Sequence, residues 1–112
     1  MPLQYGRDAQ CEMVDATGTT TLATDTAATY TFSAAVHGAY VQSTSNLLGV
    51  VYVTWNAATA DDNDWDNFIP AAGGLVRAPD GVLVKTVTLR HFAGVDRTFG
   101  TDFVVKGWPH SA

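Results

Sequence analysis

The stretch GVVYVTWN, residues 49–56, decides the fold. From Val50 to Trp55 every residue is β-branched or aromatic, the composition of a strand. Apolar side chains fall on both faces of the extended chain, which predicts a central strand covered on both sides. Working outward, a period of two recurs, and no segment sustains a 3.6 period. TYTFSAAV (29–36) puts Tyr30 and Phe32 on one face and Thr29, Thr31 and Ser33 on the other. AYVQS (39–43) follows after His37-Gly38, which predicts a hairpin between the two runs. GVLVKTVTLRHF (81–92), opened by the turn Pro79-Asp80-Gly81, is expected as the longest strand, and DFVVKGW (102–108) as the strand that closes the sheet. TTTLA (19–23), NFI (67–69) and LVRA (75–78) are shorter candidates.

The pattern predicts an all-β fold, an antiparallel β-sandwich of jelly-roll or Ig-like type with about seven or eight strands. Residues 1–18 are polar and aperiodic and are expected as an extended N-terminal arm or edge segment rather than a packed element. The sandwich domain then covers 19–108 and a short tail 109–112. Alternation selects Tyr30, Phe32, Val51, Val53, Trp55, Val82, Val84, Val87, Leu89, Phe103 and Val105 as the core.

With 112 residues there is room for a single domain. Its six basic residues are scattered, no two adjacent, and the net charge is −5, so the sequence lacks a nucleic-acid footprint and does not favour an anionic membrane. The longest apolar run, LLGVVYV (47–53), is far short of a membrane span. The N-terminus has no basic region followed by an apolar run, so synthesis in the cytoplasm without an export address is expected. Cys11, the single cysteine, has no partner for a disulfide or a zinc pattern.

The chemistry-bearing residues concentrate in ADDNDWDNF (60–68). Asp62, Asp64 and Asp66 match the first three ligand spacings of a helix-loop-helix calcium loop. Asn67 stands where that loop needs glycine and Gly73 where it needs a bidentate glutamate, so the expected state is a solvated turn without a cofactor. A weak calcium site on these three aspartates is the alternative. Trp65 is either the anchor of the loop or a platform for a partner. His37, His91 and His110 have no partners at metal-ligand spacing, no serine lies in a Gly-x-Ser-x-Gly elbow, and Glu12 is the only glutamate. The expectation is a protein that is not an enzyme.

The run from Gly49 to Phe92, with its VYV-W strand, acidic loop, PAAGG bend and VKTVTLR strand, resembles small all-β virion proteins of tailed bacteriophages. The likeness extends over residues 49–108. It implies a structural protein of the virion, a capsid decoration or connector subunit, assembled with major capsid or neck proteins and with itself. Contacts are expected at the arm and tail, through Tyr5, Arg7, Trp108 and His110, and at Trp65. The alternative is a carbohydrate- or receptor-binding module using Trp65 with Asp62, Asp64 and Asp66, assisted by calcium.

Overall fold

Alternating side chains and frequent turns give ten short strands among the described residues. The computed structural model of the protein describes residues 13–44 and 50–109. The strands are β1 (Val14–Asp15), β2 (Thr21–Leu22), β3 (Ala28–Val36), β4 (Gly38–Ser43) and β5 (Val51–Trp55) in the first half. The second half holds β6 (Asn67–Ile69), β7 (Gly74–Arg77), β8 (Val84–His91), β9 (Arg97–Thr98) and β10 (Phe103–Trp108). No helix occurs among the described residues. Two four-stranded antiparallel sheets, β1-β10-β4-β7 and β3-β8-β5-β6, are joined by a two-stranded ladder, β2-β9.

One rule generates this order. β1 pairs with β10, β2 with β9, β3 with β8, β4 with β7 and β5 with β6, each pair antiparallel. The chain is a single ribbon doubled back between β5 and β6, every pair enclosing the next. Rolling the ribbon then sets β4 against β10 and β5 against β8, which completes the sheets.

The two sheets bury their facing sides. β3 contributes Tyr30, Phe32 and Val36, β5 Val51, Val53 and Trp55, and β8 Val84, Val87 and Leu89. Ala39 and Val41 of β4 and Phe103 and Val105 of β10 meet them. Each large side chain so buried stabilises by about 1.5–3 kcal/mol. The core predicted from alternation is found, except that Val82 is half-buried and packs on its edge. Phe99 completes an aromatic trio, 4.9 Å from Tyr30 and 5.4 Å from Phe103 between ring centres. Arg97 is buried beside it, donating to the Ser43 hydroxyl; burial lowers its pKa, and the nearby Asp102 carboxylate opposes that shift.

Three expectations are corrected. β3 and β4 form no hairpin, because the one residue between them, His37, cannot make a two-residue turn. A register shift between Thr31 and Val36 bends β3, and the chain passes from one sheet into the other. Within residues 13–18, read as an arm or edge segment, β1 lies at the edge of its sheet and pairs with β10; Ala16 is buried, and its N–H donates to the Val105 carbonyl at 3.0 Å. An edge segment needs only backbone partners for this, which fits its lack of periodicity. The closing strand β10 lies inside its sheet between β1 and β4, and β3 with nine residues is longer than β8 with eight. The central placement of β5 is as expected, with β8 and β6 on its sides.

Candidate functional site

The acidic stretch forms the connection at the ribbon's tip, between β5 and β6. Asn56 starts it in a left-handed conformation, φ 60°, and ties it down three times. Its N–H donates to the Thr86 carbonyl at 2.8 Å, its amide nitrogen to the Leu83 carbonyl at 2.8 Å, and its amide oxygen accepts the Lys85 N–H at 2.8 Å. The chain then lies across the outer face of the β3-β8-β5-β6 sheet. There Thr54 donates to the Thr59 carbonyl at 2.7 Å and Thr88 donates to the Ala57 carbonyl, while Ala60 is buried beneath the crossing. Those two threonines are thereby covered on the sheet's outer side.

The aspartates serve the backbone. Asp61 and Asp64 exchange N–H···O bonds of 3.0 and 3.2 Å across the turn Asp62-Asn63. The Asp61 carboxylate accepts the Asp62 N–H at 2.7 Å, and that of Asp66 accepts the Trp55 N–H at 2.8 Å. Asp62, Asp64 and Asp66 are not gathered round one point: among the described residues no three His, Cys, Asp or Glu side chains converge to hold a metal ion. A run of carboxylates two apart would sit together on one face of a regular strand, but the tight turn at 62–63 breaks that alternation.

Trp65 is both anchor and surface. Its Nε1 donates to the Asp62 carbonyl at 3.2 Å, yet 42% of the residue is exposed. Its ring stands 6.1 Å from Tyr52 and 5.2 Å from Phe68. Tyr52 in turn is 5.9 Å from Phe92. Tyr52 is the register partner of both Phe68 and Arg90, so all three project from the same outer face. The result is a strip of aromatic rings, Phe92–Tyr52–Trp65–Phe68, with Phe68 42% and Phe92 36% exposed. Arg90 borders it. The guanidinium lies 4.7 Å over the Phe92 ring, 2.8 Å from the Asp25 carboxylate and 3.9 Å from that of Asp61.

Trp108, the other expected contact residue, lies on the outer face of the opposite sheet. Its ring is 5.8 Å from Tyr40 and 5.3 Å from the Arg77 guanidinium. Tyr5, Arg7 and His110 lie outside the described residues. His91, which a catalytic reading would need in a cleft with an acid, is fully buried. Its Nε2 sits 2.9 Å from the Leu22 carbonyl oxygen and its Nδ1 3.2 Å from that of Ala93, a tie between β8 and β2.

The aromatic strip was only half visible in the sequence. Tyr52 alternates with Val51 and Val53 and so points away from the core, but Phe68, Arg90 and Phe92 join it through register, which no local pattern encodes. No family model, curated protein or solved structure matches this chain.

Proposed function

We propose that this chain is a non-enzymatic structural subunit that acts through protein–protein contacts, as a capsid-decoration or connector protein of a bacteriophage virion. The observation that carries it is the exposed strip Phe92–Tyr52–Trp65–Phe68. Contiguous apolar surface rimmed by polar groups marks interaction sites, and aromatic rings supply most of the energy in such contacts. Ring orientation favours a protein over a glycan. Phe68 meets Trp65 edge-on at 80°, Phe92 meets Tyr52 at 64°, and Arg90 covers one face of Phe92. Sugar stacking needs open, flat ring faces, whereas a ridged apolar surface suits interdigitating side chains.

The strand order supports the same reading at the level of fold. With the two-residue rung β2-β9 set aside, the eight remaining strands count 1-8-3-6 in one sheet and 2-7-4-5 in the other. This order supports reading the sandwich as a jelly roll, an architecture found in viral capsid domains and in lectins, rather than an Ig-like fold. Fold alone does not assign a role, so the virion partner rests on the sequence resemblance and the contact mode on the strip.

Mass spectrometry of density-purified particles from cells carrying the gene tests the proposal. Peptides of this chain in stoichiometric ratio to the capsid protein are expected, and particles without them sink it. A Trp65→Ser/Phe68→Ser pair should abolish incorporation while the purified protein stays folded. The second reading, a carbohydrate-binding module, is favoured by the open part of the Trp65 indole. It predicts that oligosaccharides protect Trp65 fluorescence from quenching.

A further inference from the structure

The two outer faces of the sandwich differ in charge. On the β3-β8-β5-β6 side the aromatic strip has an acidic border. Asp64 and Asp66 flank Trp65 in the chain, the Asp62 carbonyl accepts its indole N–H, and all three aspartates are exposed. Asp25 and Asp61 hold Arg90, the cation beside the strip. On the opposite sheet, register sets a row across four strands: Asp15 stands opposite Lys106, Lys106 opposite Tyr40, and Tyr40 opposite Arg77. Register partners share a face. Ala39, Val41 and Val105, which alternate with them, are buried, so the row points outward. Trp108 joins it two residues beyond Lys106. A Cβ on Gly38 would stand 2.8 Å from its Cε3, so the indole rests directly on β4, beside Tyr40 and the Arg77 guanidinium. Leu75, two residues before Arg77, is 49% exposed on the same side. Lys106 lies 3.1 Å from Asp15, while Arg77 enters no ion pair among the described residues. Tyr40, Trp108 and Leu75 thus form an apolar ground with positive charge in excess.

We propose that the aromatic strip of one copy docks on this second face of another copy, so that the chain associates head to tail. The inference names the occupant of the strip, and it rests on the reading above only in taking the strip as a protein contact. Apolar rings meet apolar rings, and the acidic border comes against Arg77 and Lys106. Charge complementarity selects this pairing over its rivals. Strip against strip would set aspartates opposite aspartates, and the second face against itself would set cations opposite cations. Because the two faces are opposite sides of one sandwich, the contact is heterologous. It continues from copy to copy until it closes as a ring or runs on as a filament. A face four strands wide spans about 15–20 Å. Such a contact falls at the small end of the interface range, which puts its dissociation constant between about 1 µM and 1 mM.

Sedimentation equilibrium of the full chain, from about 10 µM to about 1 mM, tests the proposal. At the top of that range the average mass should exceed twice that of one chain. Trp65→Ser/Phe68→Ser removes one face, and Arg77→Glu, an exposed change on an edge strand, reverses the charge of the other. Each variant alone should associate at least about tenfold more weakly while keeping a cooperative urea transition. Mixed one to one, the two should form a dimer at the wild-type affinity and nothing larger, because one supplies an intact strip and the other an intact opposite face. A wild type still monomeric at about 1 mM overturns the proposal, and the composition of the particles then decides the structural role by itself. Self-association that Arg77→Glu leaves unchanged, the mark of a strip-to-strip dimer, also overturns it. So does a mixture of the two variants that stays monomeric.

Discussion

Gly107 has no room for a side chain. A Cβ there would stand 2.7 Å from a Val36 methyl and 2.9 Å from the Gly38 carbonyl oxygen, one of them backbone that cannot swing aside. Gly107→Ala should therefore cost about 1–3 kcal/mol, read as a lower urea midpoint with an unchanged slope. Tyr30 makes a different prediction. Burial raises its phenol pKa above 10.0, partly offset by its hydrogen bond with Thr19. The native state then keeps a proton that the unfolded chain has already released. Stability from this group is complete below about pH 10 and falls as pH rises through the native value. Urea titrations of the wild type should show that alkaline loss, and Tyr30→Phe should flatten it while also losing the 2.9 Å bond to the Thr19 carbonyl.

At the scale of elements, the connection from Asn56 to Asp66 is held by side chains that grip backbone groups. Asn56→Ala removes two bonds to the start of β8 and places alanine at φ 60°. A loss of about 2–3 kcal/mol is expected in chemical unfolding. Strands were legible because their period is local: Val51, Val53 and Trp55 face the core as their spacing requires. Pairing was not, because the partner of a strand is chosen by the roll of the whole ribbon. His37-Gly38 looks like a hairpin turn and is a crossing between sheets, since turn composition does not record which strand follows on which sheet. Asp62, Asp64 and Asp66 looked like ligands because spacing was read as geometry, whereas the backbone of Asp64 closes a tight turn with Asp61 and the Asp66 carboxylate accepts the Trp55 N–H, so the three do not converge.

For the molecule as a whole, we expect no tight calcium site on Asp62, Asp64 and Asp66, which do not converge in the described structure. The thermal midpoint in millimolar calcium should match that in chelator to within about 1 °C, whereas a site saturated a hundredfold above its dissociation constant would add about 2.7 kcal/mol and raise the midpoint by several degrees. The nested pairing also implies an order of events in time. Val51 meets Ile69 across a short loop, while Val14 must find Gly107 from the far end of the chain. Each rung that closes brings the next two strands together, so the entropic cost of the long loops is met stepwise. We expect Asn56→Ala chiefly to slow folding and Gly107→Ala chiefly to speed unfolding, a contrast that stopped-flow measurements on the two variants would expose or refute. The chain closes like a zipper pulled from the tip. The turn that carries Trp65 is then the part of the protein that forms first, and β1 and β10, the outermost rung of the ribbon, are the last to be fastened and the first to come undone.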